Sequence, residues 1–270
     1  MLEPLVPLQP TGSLTPLYCV HSASGSAYSY LPLLPLLDAE RPLYGLEAPG
    51  FDDDSEEPLT DVADLSALYL RAIAQDRPGE PIGLLGWSLG GVIAYDMASR
   101  LLAAGTPAVA LIAVDTGVPA PGEPPGRRSM LRRFVSDLTG APPLESQLEL
   151  DRALADQPEE VSIEHTFGAL IDAGLISDHL DIETLAHRFA VFRANVCALH
   201  RYSPTGSYPG PMITIRAAES SPEEMDWSGL AADWVEHTVP GDHYSIWQGE
   251  GLRALAEIIE RSLDECMPAR

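Results

Sequence analysis

Ile82-Gly83-Leu84-Leu85-Gly86-Trp87-Ser88-Leu89-Gly90-Gly91 is the stretch that decides the fold. An apolar run ends in Gly-x-Ser-x-Gly, and a helix-like stretch follows from Gly91 to Leu102. A serine in that pentapeptide, between a strand and a helix, marks a nucleophile elbow. The turn is sharp, so the flanking positions must lack bulk. Gly86 and Gly90 meet that need, and Gly91 adds further relief. The Ser88 hydroxyl is then held out at the top of a sheet where a base can reach it. The reaction class implied is acyl transfer through a serine ester.

Outward from the elbow the chain alternates. Leu17–His21 and Leu43–Leu46 read as strands, and Thr60–Gln75 carries helical spacing, with Thr60 or Asp61 as its cap. Val109–Val114 is apolar throughout, as expected of a parallel strand covered on both faces. Repeated strand–helix units predict an α/β fold with a doubly wound, mostly parallel sheet. After Asp115 the pattern breaks into a proline- and glycine-rich stretch. From Ser129 to about Tyr202 only helical periodicity is read, clearest over Asp181–Leu199. Strands return at Met212–Ile215 and Val235–Val239, and a helix over Gly251–Leu263 closes the chain. The expected organisation is a linker or N-terminal edge over 1–16, a core formed by 17–118 and 205–270, and an inserted helical lid over 119–204. The proline-rich opening reads as that of a domain cut from a larger protein.

The net charge of the 270 residues is −24, and all 16 basic residues are arginine. That balance excludes nucleic acid and anionic membrane as favoured partners. No apolar run is long enough to span a bilayer, and no signal peptide is read. Three scattered cysteines, Cys19, Cys197 and Cys266, argue against a disulfide framework and for a cytoplasmic setting. No metal site is read.

A serine hydroxyl needs a base, and the base an orienting carboxylate. The preferred acid is Asp115, at the end of an apolar strand that a right-handed crossover sets beside the elbow. Glu219 and Asp226, after the next strand, are the alternatives. His243, in Gly241-Asp242-His243-Tyr244 between the last strand and last helix, is the preferred base. Asp242 is read as facing solvent. His165, His179, His187 and His200 read as partly exposed helix positions, His237 as a strand residue, and His21 as the end of a strand. The oxyanion hole requires two backbone N–H groups, assigned to Leu89 and, in the small-residue loop after His21, to Ala23. Arg127, Arg128, Arg132 and Arg133 form a basic cluster that reads as a solvated helix face, with a phosphate or acidic partner surface as the alternative.

Several segments in order carry a resemblance. They are Pro16-Leu17-Tyr18-Cys19-Val20-His21 running into Ala23-Ser24-Gly25, Tyr44-Gly45-Leu46 with Ala48-Pro49-Gly50, the elbow, Asp115, and Gly241-Asp242-His243-Tyr244. Together they resemble the thioesterase domain that ends nonribosomal peptide synthetases and some polyketide synthases. The likeness spans nearly the whole chain except 119–204. It implies an α/β-hydrolase fold with a helical lid, and no cofactor bound by the domain itself. It also implies a peptidyl, depsipeptidyl or polyketide thioester delivered on the phosphopantetheine arm of an upstream carrier domain. Ser88 would take the acyl chain, with His243 as base, Asp115 orienting it, and Ala23 and Leu89 at the oxyanion positions. Release to water would give an acid, and to a hydroxyl or amine of the substrate a macrolactone or macrolactam; the sequence leaves these open. The acid's position resembles the terminal domains rather than free-standing proofreading thioesterases. That second type, a small-molecule esterase and a non-catalytic binding module are the competing readings.

Overall fold

The computed structural model of the chain describes residues 4–52, 56–140, 144–155 and 161–266. Parts of the expected N-terminal segment (1–3), core (53–55 and 267–270) and helical block (141–143 and 156–160) lie outside the described residues. Seven strands form one sheet: β1 (Leu5–Gln9), β2 (Leu17–Val20), β3 (Leu43–Leu46), β4 (Gly83–Trp87), β5 (Ala110–Val114), β6 (Tyr208–Ala217) and β7 (Ala231–Val239). Their order is β1-β3-β2-β4-β5-β6-β7. All neighbouring pairs are parallel except β1 with β3. The proline-rich N-terminal segment thus supplies an antiparallel edge strand, the position where Pro7 is tolerated.

The helices are α1 (Val62–Asp76), α2 (Leu89–Ala103), α3 (Arg127–Thr139), α4 (Leu144–Ala155), α5 (Ile163–Asp172), α6 (Ile182–Arg201) and α7 (Gly249–Cys266). Asp61 caps α1 by accepting from Ala63 N, and Asp181 caps α6 by accepting from Thr184 N. Alternate residues of the parallel strands feed two cores. Tyr18, Val20, Leu84 and Leu111 pack with Leu65, Tyr69, Val92 and Ile93 of α1 and α2. Leu17, Cys19, Leu85 and Ile112 pack with Leu255, Ile259 and Leu263 of α7 on the other face. The fully apolar reading of β5 follows from this two-sided burial.

β6 and β7 each begin four residues before their apolar runs. β7 is an edge strand buried mainly at its two ends, and β6 starts at a bulge between Tyr208 and Pro211, so neither beginning has an apolar signature. The apolar stretch after the first strand folds as a 3-10 segment, Ala27–Leu33, capped by Ser26.

Between β5 and β6 the described chain is helical, α3–α6, with a core of its own. Phe134 lies 5.7, 5.3 and 5.5 Å, centroid to centroid, from Phe167, Phe189 and Phe192. The basic cluster of α3 staples this block. Arg127 donates to Thr166 Oγ1, Arg128 to the Ala155 carbonyl, and Arg132 pairs with Asp151 at 3.3 Å. His187 is a partly exposed helix position, as expected, and it also bonds the Gly50 carbonyl through Nε2 and ties α6 to the loop after β3. No described helix is long and apolar enough to cross a membrane.

Candidate active site

β4 ends at Trp87, α2 begins at Leu89, and Ser88 between them has φ 56° and ψ −125°. A side chain rarely occupies that region, and here the turn enforces it. A Cβ on Gly86 would stand 2.1 Å from the Gly90 carbonyl, and one on Gly90 would stand 2.3 Å from the Val20 oxygen. One on Gly91 would stand 2.1 Å from Thr116 Oγ1. Gly86 is therefore required by the first turn of α2, Gly90 by the backbone of β2 and Gly91 by the Thr116 side chain just after β5. Ser88 occupies the N-cap position of α2 without forming a capping bond through its side chain. Its hydroxyl is left for other chemistry.

β5 runs beside β4, and its last residue hands over to Asp115, which has φ 40°. Among the described residues, Ser88 and Asp115 are the non-glycine positions with positive φ. Asp115 N donates to the Ile215 carbonyl at 2.7 Å, fixing the residue against β6. Its buried carboxylate accepts from Ala217 N (2.8 Å), Ser220 Oγ (2.9 Å) and His243 Nδ1 (2.5 Å). Burial alone would raise the carboxyl pKa. The hydrogen bond and charge of His243, with the bonds from Ala217 and Ser220, outweigh it and hold Asp115 below its ordinary value. Glu219 and Asp226 are exposed, and Asp226 caps a turn through Ser228 N.

His243 is carried by a rigid turn. Asp242, expected to face solvent, is half-buried, and its Oδ1 accepts from Tyr244 N and Ser245 N, while Ser245 Oγ accepts from Asp242 N. The imidazole lies against the Trp87 ring, centroids 5.1 Å apart and planes 34° apart. So the structure brings His243 onto Asp115 and beside the residue preceding Ser88. No hydrogen bond joins Ser88 Oγ to His243 among the described residues; such contacts are often open before substrate binds.

Leu89 opens α2, where first-turn N–H groups have no partner within the helix. Ala23 lies in the loop after β2, its carbonyl held by Asn195 Nδ2 of α6 at 3.1 Å. Tyr30, fully buried, donates to the Val20 carbonyl at 2.5 Å and accepts from Trp87 N at 2.9 Å, bridging the ends of β2 and β4. His21 is also fully buried. Its Nδ1 meets the Ser22 carbonyl and its Nε2 meets Tyr69 Oη, both at 2.6 Å. Burial lowers it to about 4, partly offset by the Ser22 bond, so it is a neutral packing residue. Sequence reading did not single out Ser220, Tyr30 or Asn195. Each arrives from a turn or helix face with no local motif.

A cavity of about 460 Å³ opens beside the elbow, lined by Trp87, Ser24, Phe51, Asp52, Asp137 and Arg188 among others. A second, of about 470 Å³, lies on the other side of Phe51 and Asp52 against α1; Ser88, Asp115 and His243 line neither cavity, and Trp87 is the elbow residue in the wall of the first.

A mostly parallel sheet with an elbow serine, an aspartate ending the next strand and a histidine after the last strand defines an α/β-hydrolase. The chain belongs to the thioesterase domain family, whose model matches residues 15–263. It is 27% identical over 98% of its length to chondramide synthase cmdD of Chondromyces crocatus, covering 7% of that protein. It is 38% identical over 42% of its length to a dimodular nonribosomal peptide synthase of Bacillus subtilis, covering 5% of it. The chain therefore spans a small fraction of the curated relatives it matches. A holo four-domain nonribosomal peptide synthetase bound to AMP and glycine superposes with TM-score 0.81 at 24% identity, over 99% of this chain and 20% of that one. The NocB thioesterase domain, in covalent complex with a fluorophosphonate nocardicin G analog, superposes with TM-score 0.69 at 24% identity, over 96% and 99%.

Proposed function

We propose that this domain is a chain-releasing serine thioesterase. It takes a peptidyl or acyl chain from the phosphopantetheine thiol of a carrier domain and releases it by hydrolysis or cyclisation. The observation that carries the reading is the 2.5 Å bond between His243 and Asp115, held next to the elbow that presents Ser88.

Ser88 Oγ attacks the thioester carbonyl as its proton passes to His243 Nε2. The Oγ–C bond forms, the C–S bond breaks, and the carrier thiolate leaves with the proton from His243. Asp115 holds the Nδ1–H tautomer and stabilises the imidazolium. The N–H groups of Ala23 and Leu89 receive the oxyanion. In the second half-reaction His243 takes a proton from water, or from a hydroxyl or amine of the chain, as it attacks the ester. The released Ser88 oxygen regains a proton. The block α3–α6, within the lid expected over 119–204, excludes bulk water from the ester.

The test is incubation with a peptidyl thioester mimic, read by intact-protein and product mass spectrometry. An acyl adduct on Ser88, lost in Ser88→Ala, is expected. A cyclic product is lighter than the linear acid by one water. Unchanged product release by Ser88→Ala would overturn the reading.

A further inference from the structure

The cavity beside Ser88 contains a charge that nothing local explains. Phe134, Asp137 and Leu138 share the face of α3 that lines it. The rest of that face is apolar, with Met130, Leu131, Phe134 and Val135 buried. Asp137 sits in the last turn of α3, where the helix dipole disfavours an anion. Among the described residues no hydrogen bond or ion pair engages it.

Neither nearby cation pairs with it among the described residues. Arg188, on the same cavity wall, lies over the Phe51 ring at 4.9 Å, and its charge acts on Glu47, which bonds Asp52. Arg133, one turn earlier on α3, is exposed and forms no ion pair with Asp137 among the described residues. Burial lifts Asp137 to about 6, opposed by the charge of His243. Tyr244, beside His243, is pushed up by burial and then by Asp137. A carboxylate kept unpaired in a cleft next to the reacting group is costly unless a ligand pairs with it.

We propose that Asp137 is a specificity-determining residue that binds a cationic group, an ammonium or guanidinium, of the acyl chain carried on Ser88. The inference rests on the serine thioesterase reading and names the substrate class for that site. The chain would carry its positive charge close to the ester carbonyl, because the cavity that holds Asp137 is also walled by Trp87, the neighbour of Ser88. An amine bound there at high pH would also lie within reach of His243.

The experiment compares two peptidyl thioesters that differ at one side chain, an ornithine and its isosteric neutral norleucine counterpart, in the wild type, Asp137→Asn and Asp137→Glu. The readout is the ratio of kcat/KM for the cationic over the neutral substrate. Removing a charge-assisted contact should lower that ratio about tenfold in Asp137→Asn, and Asp137→Glu should retain most of it. The wild-type ratio should also fall as pH drops below about 6, where Asp137 is protonated. Because both substrates depend equally on His243, its own titration cancels in the ratio. A ratio that changes less than threefold in Asp137→Asn overturns the proposal, whether both rates fall together or neither moves. Labelling of the wild type with a fluorophosphonate separates the two readings. No adduct on Ser88 overturns the serine mechanism itself, whereas an adduct with an unchanged ratio overturns only the role of Asp137.

Discussion

Asp115 gathers three donors and a left-handed backbone into one residue, and its contacts predict graded effects. Asp115→Asn should lower kcat about 10^3- to 10^4-fold, because it no longer selects the Nδ1–H tautomer of His243. Ser220→Ala removes one neutral donor to the carboxylate and should lower kcat about tenfold. Steady-state kinetics on one thioester checks both. Protonation has a sign that can be worked out. The folded pKa of Asp115 is depressed, so its stabilisation is present above the unfolded carboxylate pKa and lost as pH falls through the folded value. His21 is a base whose folded value is lowered to about 4. Its neutral burial favours the fold above about pH 6.5, and of order 3 kcal/mol is lost as pH falls from there to 4. Urea melts between pH 8 and 4 should show that decline first, with the loss at Asp115 below it. The meeting of Asp115 with His243 beside the elbow was legible because chain order and strand ends locate those residues. Ser220 and Asn195 were not, since a serine after a strand or an asparagine on an amphipathic helix gains meaning only when a distant carboxylate or loop meets it.

At the scale of elements, the elbow is specified by clashes rather than by preference. Gly90→Ala would set a Cβ 2.3 Å from a carbonyl oxygen of β2, so that strand or α2 must move. A loss of at least about 3 kcal/mol in chemical denaturation is expected, together with loss of Ser88 labelling. Trp87 acts differently, as a plate for the imidazole 5.1 Å away. Trp87→Leu should lower kcat about tenfold, because the ring orients His243. Strands buried on both faces announced themselves as apolar runs. The first four residues of edge strand β7 and the bulged start of β6 did not, because most of these residues face water or fall out of register. The block α3–α6 was readable as helical, with α6 alone delimited by its periodicity, but the mutual packing of its helices was not.

Over the whole molecule, three cores are separable: one on each face of the sheet and one inside α3–α6. Phe134, with three aromatic partners, should tie the helical block together. Phe134→Ala should cost about 3 to 5 kcal/mol, concentrated there. Hydrogen exchange should then quicken in α3, α5 and α6 and stay slow in β4 and β5. The bridge formed by Tyr30 has a consequence of another kind. One fully buried phenol spans the strand ends from which Leu89 and the Ala23 loop depart. The gauge between the two amides that would cradle the oxyanion is therefore set from behind, by an oxygen the substrate never meets. Loop sequence in front of the serine can drift to suit new acyl chains while that gauge is kept.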